Sequence, residues 1–128
     1  MLNRDQILQT QDLPVEVVPV PEWGGEVRVR TLTGAERDEW EVECTRRRAG
    51  DRVDIRGVMA RLVVRSAMDE EGRPLFTVAD VDALNRKSAR AIGRLFKVAQ
   101  RLSGLTDEDV QVVAKNSESD LSDASGSD

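Results

Sequence analysis

Val15-Glu16-Val17-Val18-Pro19-Val20-Pro21-Glu22-Trp23-Gly24-Gly25-Glu26-Val27-Arg28-Val29-Arg30-Thr31-Leu32 is the stretch on which the fold turns. Its second half alternates. Val27 and Val29 fall on one face of an extended chain and Arg28 and Arg30 on the other, the period of a half-buried strand. Its first half is β-branched but contains Pro19. A proline has no N–H for a ladder, so Val15 to Val20 can only be an edge strand. Between the halves, Pro21 to Gly25 is turn composition, with Gly24-Gly25 supplying residues that tolerate positive φ. The stretch predicts a β-hairpin over about 15–32. Two strands are not stable alone in water, so the valine face must pack on something helical.

Downstream the apolar period becomes helical. Thr33-Gly34-Ala35-Glu36 is a capping box opening a helix through about Arg48, closed by Ala49-Gly50-Asp51. Its apolar stripe is thin: Ala35, Trp40, Cys44 and a flank at Val42. Ile55, Val58, Met59, Leu62, Val63 and Ala67 then fall on one face of a buried helix. Asp69-Glu70-Glu71-Gly72-Arg73-Pro74 is a run of turn residues that breaks it. Thr77-Val78-Ala79-Asp80 starts a short helix near Leu84, and Ser88 to Leu102 carries Ile92, Leu95, Phe96, Ala99 and Leu102 on one face. Gly104 ends that helix, and Thr106-Asp107-Glu108-Asp109 caps a last one through about Lys115. Upstream of the hairpin, Asn3 and Gln6 have the pairing of a capping box. They open either one or two helical turns ended by Leu13-Pro14 or a frayed terminus.

These elements describe an α+β protein, mainly α, with an N-terminal β-hairpin packed on a small bundle of about four helices. The globular domain spans 1–115, with the hairpin at about 15–32 and helices at about 33–115. From Asn116 the sequence turns to Ser, Asp and Glu with a single large apolar residue, Leu121. Such a segment is expected to be a disordered acidic tail over 116–128.

Composition narrows the chemistry. The 128 residues carry a net charge of −5, most of which sits in the tail. That balance speaks against a nucleic-acid or anionic-membrane binder, and the longest apolar runs are far short of a bilayer span. Histidine is absent, which removes His-based acid–base catalysis, Ser-His-Asp or Cys-His nucleophiles and His-ligated metals. The single cysteine, Cys44, makes neither an intrachain disulfide nor a thiolate zinc cluster. Asp69-Glu70-Glu71 and Asp107-Glu108-Asp109 lack the alternating ligands of a calcium loop and read as a polar turn and a helix N-terminus. No cofactor or metal is expected, and an enzyme is the least favoured class.

Two features stand out as places where another molecule would be held. Trp23 sits in a Gly/Pro turn, where a large ring either staples the hairpin to a helix or waits for a partner. Arg46-Arg47-Arg48, reinforced by Arg52 and Arg56, reads either as an anion-facing cluster or as cations complementing a helix C-terminus. The partner-binding residues expected first are Trp23, Arg28 and Arg30 on the hairpin. Trp40 and the cluster Arg46, Arg47 and Arg48 come second, although Trp40 also suits the core.

The order of these phrases resembles the tail assembly chaperones of long-tailed bacteriophages and related prophages, over nearly the whole chain. Pro21-Glu22-Trp23-Gly24-Gly25, Leu32-Thr33-Gly34-Ala35-Glu36-Arg37 and Ala99-Gln100-Arg101-Leu102-Ser103-Gly104-Leu105 carry most of the match. The resemblance implies a non-enzymatic protein of the host bacterial cytoplasm. Such a protein binds the helical tape measure protein, keeps it soluble and helps tail tube subunits polymerise around it. Self-association is a further expectation, while nucleic acid and membrane are not expected partners. The resemblance also implies a longer product made by ribosomal frameshifting near the end of the reading frame, and Lys115-Asn116 lies where such a slip would fall. The rival from another class is a structural virion component, such as a head–tail connector or tail completion protein.

Overall fold

The computed structural model describes residues 1–45 and 57–115. Strand β1 (Val15–Val20) and strand β2 (Gly25–Arg30) pair antiparallel with Val15 opposite Arg30 and Val20 opposite Gly25. The Thr31 N–H donates to the Pro14 carbonyl at 3.0 Å, which fixes the alternation. Residues 14, 16, 18 and 20 turn their backbone groups toward β2, and 15, 17 and 19 turn theirs outward. Pro19 thus costs the hairpin no hydrogen bond, the condition under which an edge strand accepts proline. Val18, Val20, Val27 and Val29 face the core, whereas Val15 and Val17 lie outside. Between the strands, Pro21–Trp23 makes a single 3₁₀ turn. Gly24 closes it at φ +73° with its N–H on the Pro21 carbonyl. Gly25 starts β2, so only Gly24 of the pair uses the left-handed region.

The sheet has a third strand where the sequence reads as helix. Helix α3 (Val58–Ser66) stops at Ser66, whose buried hydroxyl donates to the Leu62 carbonyl. Ala67 and Met68 then extend as strand β3 against Val29 and Arg28, giving the order β1-β2-β3. The other edge of β2 needs partners for its amides, and this non-local demand outweighs the helical period at Ala67. A tight turn returns the chain. Gly72 takes φ +83°, and the Asp69 carboxylate accepts from the backbone N–H groups of Glu71 and Arg73, which hold it below the usual carboxylate range. The acid cluster at 69–71 is thus a turn.

Helix α3 lies at the centre, packed by α2 (Gly34–Thr45), α4 (Val81–Asn85) and α5 (Ala89–Leu102). Being covered on several sides, it buries Val58, Ala60, Arg61, Leu62, Val63 and Val64, and not a single stripe. Met59, placed on the buried face by periodicity, is 40% exposed instead. Ile55 lies outside the described residues. On α2, Trp40 and Cys44 are buried, while Ala35 and Val42 face outward. Both halves of its capping box form, Glu36 N–H to Thr33 Oγ1 and Thr33 N–H to Glu36 Oε1. Equivalent boxes open α1 (Arg4–Gln9) at Asn3 and Gln6, and a helix over residues 107–115 (α6) at Thr106 and Asp109. Helix α1 settles the choice at the N-terminus in favour of helical turns, none of whose residues is buried.

Helix α5 supplies the second core face with Ala91, Ile92, Leu95, Phe96 and Ala99. Two of its arginines, a heptad apart, reach the hairpin. Arg94 pairs with Glu22 and Arg101 with Glu16. The Ser103 hydroxyl receives the Leu32 N–H at 3.0 Å, pinning the exit of β2 to the end of α5.

Candidate partner-binding groove

The hairpin turn and α4 enclose an open apolar groove of about 440 Å³, lined by Trp23, Phe76, Ala83 and Leu84 and flanked by Asp80 and Lys87. Each wall has a local cause. Trp23 is carried at the end of the 3₁₀ turn, and the turn is clamped to α5 by a bidentate contact. Arg94 Nη1 and Nη2 donate to the Glu22 carboxylate oxygens at 2.6 and 2.9 Å. That contact holds the Glu22 carboxyl down at about 2. Phe76 stands just before Thr77, which caps the turn leading into α4 with Asp80 as the reciprocal partner. Phe76 and the buried Val81 therefore occupy the positions of a hydrophobic staple. Both rings rest on the core on one side and face the groove on the other, so each is half-buried.

The hollow has the size and the lining that a bulky apolar side chain requires, with one acid and one base at its rim. Among the described residues, no set of three or more acids and cysteine is placed to hold a metal ion. Burial pushes the Cys44 thiol up to about 12, which leaves it a packed, unreactive group. No described helix is long and apolar enough to cross a membrane.

The other residues singled out by sequence fall elsewhere. Arg28 and Arg30 stand on the outer face of β2 and do not line the groove. Arg28 donates to the Glu70 carbonyl at 3.2 Å, and Arg30 is half-buried in a 2.5 Å ion pair with Glu36. Both therefore brace neighbouring turns. Trp40 is fully buried, its indole N–H donating to the Val58 carbonyl at 3.0 Å, and belongs to the core. Arg46, Arg47 and Arg48 lie outside the described residues, as does Asn116, while Lys115 ends α6. Phe76, Ala83, Leu84, Asp80 and Lys87 were not singled out. Phe76 carried a usable signal, because an aromatic in a polar loop of an aromatic-poor chain raises the same question as Trp23.

The clamp gives a pH dependence of definite sign. Glu22 has its folded value below the ordinary 4.5, so its contribution is fully present above about 4.5 and is lost as the pH falls toward 2. Glu22→Gln is expected to flatten the acid limb of stability between those values, read as the urea midpoint at stepped pH. An unchanged acid limb would mean that the clamp does not persist in solution.

A family model described as phage tail assembly chaperone matches residues 8–117, nearly the entire described chain. The chain belongs to this family. The solved structure of the bacteriophage HK97 tail assembly chaperone resembles it with a TM-score of 0.56 and 22% identity. The match covers 80% of this chain and 95% of that one, and at this identity it speaks for the fold. No curated protein sequence matches the chain. For a phage tail assembly chaperone, the groove beside Trp23 is a concave apolar surface that the described residues leave open.

Proposed function

We propose that this tail assembly chaperone acts in the host cytoplasm by binding the tape measure protein, keeping it soluble and promoting assembly of the tail tube around it. The groove of Trp23, Phe76, Ala83 and Leu84 carries this reading. A long amphipathic helix exposes apolar side chains that aggregate in water, and a hollow of this kind shields one of them at a time. Asp80 and Lys87 at the rim would meet the charged positions flanking such a side chain. Individually weak contacts repeated along a long partner add up to stable retention. No step of this role requires catalysis.

The test is co-expression of the chain with the tape measure protein of the same phage, followed by fractionation and pull-down. Rescue of the tape measure protein into the soluble fraction, with co-purification, is the expected result. A tape measure protein that is soluble by itself and ignores this chain would refute the proposal. Recovery of this chain from purified particles by mass spectrometry would then identify a virion component instead. A frameshift-extended longer form is part of the same proposal, with Lys115-Asn116 as the slip position. A gene lacking a slippery heptamer near those codons would exclude it.

A further inference from the structure

We propose that residues 116–128 dock on the groove beside Trp23, with Leu121 in the hollow and its flanking acids on a basic rim. The chain thereby covers its own binding surface until a partner displaces the segment. The docking stands without the tape measure reading, and the competition rests on it.

Leu121 is the only large apolar residue after Lys115, and it stands among Glu118, Asp120 and Asp123 in a segment that carries no base. The groove offers the complement. Trp23, Phe76 and Ala83 supply the apolar wall, and Lys87 stands at the rim. Arg86, Lys87 and Arg90 are exposed and enter no ion pair among the described residues. Arg90 is close enough to Glu22, the neighbour of Trp23, to favour its charged form. The two acids nearby already serve other groups. Glu22 receives Arg94 at 2.6 Å, and Asp80 accepts the Thr77 N–H at 2.9 Å. The rim of the groove is thus left with an excess of positive charge in a chain whose net charge is −5. A second hollow, between α2 and α6, fits the segment poorly. Glu41 and Asp109 line it, and its one base, Arg37, is already bonded to Glu41 at 3.2 Å.

The segment also starts at the right end of the molecule. Asp109 of α6 faces Arg37 of α2, and the hollow they share continues to Thr45 and Val113, so the two helices run the same way. The C-terminal half of α2 meets the start of α3 through Trp40 and Val58. The next residue, Met59, lies against Gly93, where a Cβ would stand 3.9 Å from its methyl group. Gly93 adjoins Arg94, the clamp of the hairpin turn. Lys115 therefore leaves the domain toward the end that bears the groove. Six extended residues, the separation of Leu121 from Lys115, span about 20 Å. A groove filled in this way binds a partner only through the fraction of molecules in which it stands open.

A nitroxide attached through Ser122→Cys reports on the surroundings of Leu121 in the full chain. Cys44 is buried and takes no label. The indole N–H resonance of Trp23 is expected to lose most of its intensity until the nitroxide is reduced, and to lose more than that of buried Trp40. Adding Leu121→Ser is expected to restore it. An unaffected Trp23 resonance would overturn the proposal, and so would broadening that survives Leu121→Ser. Broadening centred on Val42 and Val112 would seat the segment in the other hollow and equally overturn it. In the tape measure pull-down, Leu121→Ser is expected to retain more of the partner than the wild-type chain does. Docking without that gain would overturn the competition. A tape measure protein that binds neither form would refute the reading of function, with the contact between Leu121 and Trp23 still visible in the spectrum.

Discussion

Replacing Trp40 with alanine is expected to cost about 3–5 kcal/mol of stability, the range for deleting a large buried aromatic. The indole is fully buried between α2 and α3, and its N–H is spent on the Val58 carbonyl in the first turn of α3. The substitution removes packing and the hydrogen bond together, and the cavity opens where the two helices meet. A domain of this size has a net stability of about 5–15 kcal/mol, so the variant should unfold at a much lower urea concentration. Trp40→Phe is expected to lose less than Trp40→Ala, because it keeps a six-membered aromatic ring while giving up part of the packing and the bond to the Val58 carbonyl. If Trp40→Ala lost less than about 1 kcal/mol, the ring would not be a core residue.

The second large effect is expected at Glu43, which joins α2 to two arginines of α3. Its carboxylate accepts from Arg65 Nη2 and lies 3.8 Å from Arg61 Nη1, with Arg65 also bonded to Glu39 at 2.6 Å. Arg61 is only 8% exposed, and it fits because Gly57 has no side chain: a Cβ there would stand 2.7 Å from its Nε. Glu43→Ala strips the counter-charge from a guanidinium that water hardly reaches. Losing one member of such a pair typically costs about 3–5 kcal/mol. The pair itself is imperfectly satisfied, since Glu43 Oε2 and Arg61 Nε lack hydrogen-bond partners. Replacing both, Glu43→Leu with Arg61→Met, is therefore expected to regain most of what Glu43→Ala loses. A double-mutant cycle in urea checks this. Additive losses would show that the two side chains do not act on each other.

The features legible in the sequence are those with local causes. The alternation of Val27 and Val29 with Arg28 and Arg30, the proline that forces β1 to an edge and the Thr and Ser caps of the helices all depend on residues within a few positions of one another. The features that depart from the sequence pattern depend on distant partners. Ala67 continues a helical period but is captured by the open edge of β2, far upstream. Met59 keeps the apolar spacing and yet faces outward. The buried surface of α3 is set by three packing helices, and Arg61 enters it because Glu43 waits on α2.

The groove followed the same division. Trp23 was recognisable as a large ring in a turn, but its neighbours Phe76, Ala83 and Leu84 come from a segment far along the chain. Nothing between Trp23 and Phe76 announces that they meet. The alternation of the strand displays Arg28 and Arg30 outward. Their acceptors, the Glu70 carbonyl and the Glu36 carboxylate, are supplied by tertiary structure and by a helix cap. The ion pairs of α5 have no local signature, since Arg94 and Arg101 share a face whose partners Glu22 and Glu16 the hairpin supplies.

The measurement that tests the groove most directly is the tape measure pull-down repeated with Ala83→Arg. Ala83 is exposed on α4, so arginine suits the helix, fills the hollow and leaves the core untouched. The expected result is a variant with the wild-type urea midpoint that no longer retains the tape measure protein in the soluble fraction. Full retention by the equally stable variant would contradict the assignment of the groove.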